Sequence, residues 1–186
     1  MSNALIIIDV QNYFRPGGAL AVSGGDEVVD PTNALIVTAE RVILSQDWHP
    51  EHHTSFANNH MNKSPFDTIQ MDYGPQTLWP AHCVQGSGCA SFHPKLHADA
   101  AEAMIRKGTR SSIDSYSTFF ENDRKTPTVL VKLLRERGVT HVRLARLALD
   151  FCVAYSAMDA VDHGFSVTVI ENSCRAIDNE NSFAQA

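Results

Sequence analysis

The sequence predicts an α/β protein of three layers, with a mainly parallel central sheet covered by helices on both faces. Three observations carry that expectation. An apolar run with no polar side opens the chain, strands and helices alternate after it, and glycines close two of the helices. Parallel neighbours need crossover connections, and the crossing helices cover the sheet.

Leu5 to Val10 is the first strand, apolar throughout except Asp9, as expected of a strand buried on both faces. A loop with Pro16-Gly17-Gly18 and Gly24-Gly25 follows, and Asp26 is placed to cap or open a helix reaching about Ala39. Arg41 to Gln46 is the second strand. Residues 47–94 form a long polar excursion rich in His and Pro, read as a binding loop without regular structure that its two Trp keep ordered. Ala103 to Lys107 is the third strand, closed by Gly108. Thr126 as cap and Pro127 as first residue start a helix that runs to Arg137 and stops at Gly138. His141 to Leu147 is the fourth strand, despite Arg143 and Arg146. The helix from Asp150 to His163 sets Val153, Ala154, Ala157, Met158 and Val161 on one face and ends at Gly164. Ser166 to Ile170 is the fifth strand. No repeat, low-complexity tract or linker interrupts this course, so residues 1–186 are expected to form one domain.

Composition narrows the partners. Fifteen Lys+Arg against 21 Asp+Glu give a net charge of −6, which argues against non-specific binding to nucleic acid or an anionic membrane. The first apolar run is too short to span a bilayer and lacks the charged flank of a signal peptide. Cysteines at 83, 89, 152 and 174 fit no zinc-ribbon spacing and suggest a reducing compartment, so cytoplasm is expected. A small-molecule substrate is the partner class left, with self-association open.

The reactive residues fall where a parallel sheet gathers them. Asp9 follows the first strand, Asp47 and His49 the second, Lys107 the third, and Cys152 enters the helix after the fourth. In an open α/β sheet these ends share one edge, where ligands bind. Asp47-Trp48-His49 with His82 offers three ligands to one divalent ion and leaves positions for water or substrate. A helix N-terminus favours the thiolate of Cys152. Asp9 can take and return its proton, with Lys107 holding that carboxylate ionised. Backbone N–H groups near Ala148 and Cys152 can receive an oxyanion. Together these describe acyl transfer through a thioester. Taken singly, each residue has a plainer reading: Cys152 a small core residue, Asp9 a turn cap, Lys107 solvated, His49 a loop histidine, and His52 and His53 the same. Their meeting on one edge turns the balance.

The segments Ile7 to Phe14, Ser45 to Pro50, Thr54 to Phe56, Thr77 to Gln85, Lys107-Gly108, Asp114 to Ser117, Ala148 to Val153 and Asp159-Ala160 together resemble the isochorismatase-like cysteine hydrolase family. D-W-H and W-P-x-H-C point to its nicotinamidase branch, and the likeness spans nearly the whole chain. It implies hydrolysis of nicotinamide to nicotinic acid and ammonia in NAD salvage, with pyrazinamide-like amides as further substrates. It implies Asp9, Lys107 and Cys152 as the catalytic triad and Asp47, His49 and His82 as ligands of zinc or a similar divalent metal, iron and manganese included. The ion would hold the pyridine nitrogen, with Phe14, Trp79, Tyr116 and Phe151 walling the ring. A cis peptide before Ala148 would help shape the oxyanion hole. His53 matches a position near the metal in some relatives, which leaves a fourth ligand open.

Two departures stand out. Arg146 occupies a position often held by Gly, and the sequence ends at Ala186 where the family usually has a further helix and strand, a helix that Glu180 onward is expected to begin. Three rivals remain: a metal-independent carbamoyl or ureido amidase of the same superfamily, a non-catalytic metal-binding module, and a thiol redox protein, the last disfavoured because no second Cys stands in a C-x-x-C arrangement with Cys152.

Overall fold

An apolar run with no polar side belongs inside a sheet, and Ser2–Ile8 lies at the centre of five parallel strands. The structure, a computed structural model, describes residues 2–177 apart from 16 and 19, and gives Arg146 in its backbone only. In chain order the strands are β1 (Ser2–Ile8), β2 (Val42–Asp47), β3 (Thr68–Met71), β4 (Gly74–Thr77), β5 (Ala103–Lys107), β6 (Val139–Arg146) and β7 (Ser166–Val169). The helices are α1 (Val29–Thr38), α2 (Leu130–Glu136) and α3 (Ala154–Asp162). The main sheet runs β5-β2-β1-β6-β7, every pair parallel.

The two-residue period of β1 divides its side chains between two cores. Ala4, Ile6 and Ile8 join Ile43, Ile105, Val142 and Leu144 under α2 and α3. Leu5 and Ile7 join Val42, Leu44 and Ala145 under α1. Each Leu or Ile fully buried this way stabilises the fold by about 1.5–3 kcal/mol. Register then sets the rim: Asp47 lies opposite Lys107, and Ile8 opposite Arg146, so the residues after each strand emerge at one edge.

Several boundaries differ from expectation. β1 ends at Ile8, because Asp9 turns the chain with φ 53°. Asp26 does not cap α1, which begins at Val29; its carboxylate accepts from Arg15 Nε at 3.1 Å instead. Thr126-Pro127 does not open α2 either. Asp123 accepts from the Thr126 N–H and hydroxyl, Pro127 bridges to Phe120, and the helix starts at Leu130. Local side-chain bonds and a tertiary bridge outcompete the cap signal there. The excursion is not without regular structure, since β3 and β4 form an antiparallel hairpin inside it. The helix after β6 opens with one wide turn, Leu149–Val153, before α3. Gly138 and Gly164 follow α2 and α3 as expected. Among the described residues no helix is long and apolar enough to cross a membrane. The helix expected from Glu180 and the Arg146 side chain lie outside what is described.

Candidate active site

Lys107 ends β5 with no solvent exposure, and its ammonium organises the rim. Nζ lies 3.0 Å from Asp9 Oδ2, donates to Asp47 Oδ1 and to the Ser115 carbonyl at 2.9 Å, and stands 3.5 Å from Cys152 Sγ. Burial works against that charge, but Asp47 and Asp9 outweigh it and hold the Lys107 pKa well above its ordinary value. Ser45 Oγ donates to Asp9 Oδ1 at 2.7 Å, while Oδ2 has no well-directed donor. Burial and the neighbouring Asp47 raise the Asp9 carboxyl to about 6, against the pull of Lys107 and Ser45.

Cys152 sits in the wide turn before α3, where a helix end was expected to favour the thiolate. Burial wins instead: it pushes the thiol well above its usual range, although Lys107 opposes it. A resting thiol needs a base, and an Asp9 carboxylate oxygen lies within 4.8 Å of Sγ.

The other end of the site is built from imidazoles. His49 Nδ1 donates to the Gly108 carbonyl at 3.0 Å and His82 Nδ1 to the Pro80 carbonyl at 2.9 Å. A carbonyl only accepts, so both Nδ1 atoms carry the proton and both Nε2 atoms present lone pairs. Each Nε2 lies 3.9 Å from an Asp47 oxygen. Burial lowers both histidine pKa values, which keeps the rings neutral as metal ligands must be. Asp47, His49 and His82 place donor atoms within 4.8 Å of one another, a spread that an ion at about 2.0–2.2 Å from each would draw in slightly. One buried ammonium serves two buried carboxylates here, Asp9 and Asp47, so the site also has negative charge to spare. On both counts the residues fit a divalent cation.

His53 is placed differently. Its Nδ1 accepts from the Ser55 N–H at 3.2 Å, so the proton is on Nε2, which donates to the Ile113 carbonyl at 3.2 Å. Neither nitrogen is left for an ion. The ring packs 4.5 Å from that of His49 and 5.5 Å from that of Phe56.

Between the two ends lies a slit lined by Phe14, Trp79, Tyr116 and Phe151 together with Ala148 and Cys152. The Phe151 ring meets Trp79 and Tyr116 edge-on at 5.0 and 5.5 Å, which closes one side. The Leu147–Ala148 peptide is cis. The N–H groups of Phe151 and Val153 donate to the Ala148 carbonyl and that of Leu149 to the Arg175 carbonyl, so these three are committed within the fold.

All the residues singled out from the sequence thus meet at one site. Others there had no role assigned. Gln11 grips the Asp47 peptide at both ends, its Nε2 donating to the carbonyl at 2.9 Å and its Oε1 accepting from the N–H at 2.8 Å. Gln76 Nε2 donates to Asp114 Oδ2 at 2.7 Å and to the Tyr116 hydroxyl at 3.0 Å, which fixes that wall. Gly108 has φ +61°, and a Cβ there would stand 2.3 Å from His49 Cε1. Ser45 gave a signal in the sequence, a polar residue two positions before Asp47 on an apolar strand; Gln11, Gln76 and Gly108 gave none beyond their place near the motifs.

Known proteins with the same features now bear on the chain. Residues 3–186 match the isochorismatase domain family. A nicotinamidase of Acinetobacter baylyi is 50% identical over 183 residues, 98% of this chain and 86% of that protein. The solved structure of an Acinetobacter baumannii nicotinamidase/pyrazinamidase superposes with a TM-score of 0.97 at 50% identity, covering 99% of this chain and 89% of that one. A pyrazinamidase of Pyrococcus horikoshii solved in complex with zinc superposes with a TM-score of 0.78 at 34% identity, covering 99% and 92%. With a shared fold and a match along almost its entire length, the chain belongs to the isochorismatase family.

Proposed function

We propose that the protein is a metal-dependent amidase that hydrolyses nicotinamide to nicotinic acid and ammonia through a thioester on Cys152, in NAD salvage. One observation carries this reading: a single slit has Cys152 Sγ at one end and the Nε2 lone pairs of His49 and His82 at the other. A flat heteroaromatic amide is the shape such an aromatic-walled slit admits with least displacement of its walls. The nicotinamidases among the relatives and the zinc in the Pyrococcus horikoshii structure support the substrate and the metal.

In the cycle Asp9 takes the Cys152 proton as Sγ attacks the carboxamide carbon. The carbonyl oxygen becomes an oxyanion that the Ala148 and Cys152 N–H groups receive. The C–N bond breaks as Asp9 returns the proton to nitrogen, and ammonia leaves. Water then adds to the thioester, giving its proton to Asp9; the C–S bond breaks, nicotinic acid departs and the proton returns to sulfur. Lys107 stabilises the negative charge that alternates between Asp9 and Cys152 throughout. Asp47, His49 and His82 would hold the ion, zinc first and iron or manganese as alternatives. When bound, it supplies a Lewis-acidic position for the ring nitrogen. His53 orients His49 and is not a ligand.

Pyrazinamide-like amides fit the same slit. The chain acts as one domain, because that slit takes residues from Phe14 to Ile177. The four free cysteines suit the cytoplasm, where thiols stay reduced. The metal-independent amidase of the same superfamily is the rival, and the two lone pairs turned toward Asp47 speak against it. Ammonia release from nicotinamide, with and without chelator, together with metal analysis, is the test. Chelator-sensitive release with stoichiometric metal is expected; release that ignores the chelator, or none from any aromatic amide, overturns the reading.

A further inference from the structure

The central strand β1 stops short of the site it borders. Its pairing with β2 ends at Ile7 and Leu44, while β2 runs on to Asp47. Asp9 turns away with φ 53°, and its carbonyl, which a continuing strand would offer to β2, accepts from the Gln11 N–H at 2.8 Å. On the β5 side the Trp48 N–H donates to the Lys107 carbonyl at 3.0 Å. The N–H and C=O of Asp47 point the other way, to the side that β1 has left. Asp47 is 3% exposed, and backbone groups unpaired at such depth are costly.

The side chain of Gln11 takes the place of the missing strand. Its Oε1 accepts from the Asp47 N–H at 2.8 Å, and Nε2 donates to the Asp47 carbonyl at 2.9 Å and to the Ala90 carbonyl at 2.8 Å. With carbonyls at both nitrogen contacts and an N–H at the oxygen, only one orientation of the amide satisfies all three. Gln11 is 1% exposed, so water does not replace it. Ala90 has a second donor in Gln46 Nε2 at 2.9 Å, so that turn keeps an anchor without Gln11. The Asp47 peptide is the group that depends on it.

We infer that Gln11 is a positioning residue for the metal centre: its carboxamide stands in for a strand, fixes the Asp47 peptide, and so aims the carboxylate. Asp47 Oδ1 accepts from Lys107 and lies 3.9 Å from His49 Nε2, and Oδ2 lies 3.9 Å from His82 Nε2. One displaced peptide therefore disturbs all three contacts. His49 and His82 each have a carbonyl for an anchor, and Gln11 is the counterpart for Asp47. This role presupposes the metal-dependent reading of the slit.

Loss of zinc from the zinc-loaded protein to a chromophoric chelator tests it. Gln11→Leu keeps the bulk and removes every hydrogen bond, and Gln11→Asn keeps the amide but falls one methylene short of Asp47. Both should hold zinc about 10–100-fold more weakly than the wild type, as when a ligand's orienting partner is removed. Thr32→Val, which removes a buried hydroxyl that donates to the Val28 carbonyl at 2.7 Å in α1, controls for destabilisation alone and should keep wild-type affinity. Circular dichroism of each variant checks folding, and either Gln11 variant carries the test should the other fail to fold. Wild-type affinity in a folded Gln11 variant overturns the positioning role and leaves the amidase reading standing. An equal loss in Thr32→Val also overturns it, since the effect is then one of stability. A wild-type protein that holds no zinc defeats the metal-dependent reading, and this role with it.

Discussion

The two ends of the slit are built on different principles. At the Cys152 end the parallel sheet supplies the scaffold. Asp9, Asp47 and Lys107 follow or end neighbouring strands, and register puts Asp47 opposite Lys107 with no loop involved. At the imidazole end the ligands come from a loop, His49 and His82 standing far apart in the chain. Each ring there needs its own anchor, a backbone carbonyl for Nδ1, and short parallel bridges pin the loop: His49 to Val84 and Phe56 to Trp79. The sheet end is rich in charge and the loop end neutral. Asp47 belongs to both, bonded to Lys107 and facing both histidines. A sheet edge thus positions charged groups cheaply, whereas a loop must anchor each ligand separately.

The sharpest way to break that comparison is to remove one end and watch the other. Cys152→Ala should lower turnover by at least about 10³-fold, the scale seen when a nucleophile is removed. Metal content should not change, since Cys152 makes no bond to His49 or His82. Ammonia release and metal analysis on one sample read both, and loss of metal in this variant would mean that the ends are not separable. The converse change is Gly108→Ala, which leaves every ligand in place. Its Cβ would meet His49 Cε1 at 2.3 Å and Nδ1 at 2.5 Å, at a φ of +61° that disfavours a side chain. Metal affinity should fall about 10–100-fold, as when a ligand's orienting partner is lost. Unchanged metal content would show that the loop end tolerates displacement of its ring.

The same contrast explains what could be read from the sequence. Asp9, Asp47 and Lys107 were legible because apolar runs that stop at a charged residue mark strand ends, and parallel pairing puts such ends on one edge. His82 was not legible in this way; no period connects it to His49, and what joined them was their ligand chemistry, three donors suited to one ion, with the resemblance of W-P-x-H-C to a family motif added to it. The helix starts at Asp26 and Thr126 were misplaced because a cap is a contest among nearby donors. Arg15 and Asp123 decide it in the fold, and neither is visible as a partner in the sequence. The thiol was misjudged for a similar reason. A helix end is readable in sequence, but the burial that outweighs it at Cys152 depends on elements packed from elsewhere. The hairpin of β3 and β4 gave little signal, since half-exposed strands of four residues carry almost no periodicity.

Ser45 sharpens the comparison at a smaller scale. Ser45→Ala removes the hydroxyl that donates to Asp9 Oδ1 at 2.7 Å, in a pocket where both residues are fully buried. Losing a hydrogen bond to a buried charged group costs about 1.5–3 kcal/mol, so turnover should drop roughly 10- to 100-fold while the metal stays bound. Metal loss on this change would place Ser45 with the loop end instead.

An effect on stability alone, with none on turnover or metal, is expected away from both ends, at Glu121. Burial raises its carboxyl to about 7 from an ordinary value of 4.5, though Ser115 and Lys107 act to lower it. Between these values the folded protein holds a proton that the unfolded chain has released, so the stability of the wild-type protein falls as pH rises through this window. Glu121→Gln removes the ionisation and with it the penalty. The variant should melt above the wild type at about pH 8, with the difference shrinking to nothing as pH falls toward about 4.5. Melting curves of both proteins across this pH range measure it. A difference that stays constant across the window would mean that lost packing, rather than an unpaired charge, sets the cost at this position.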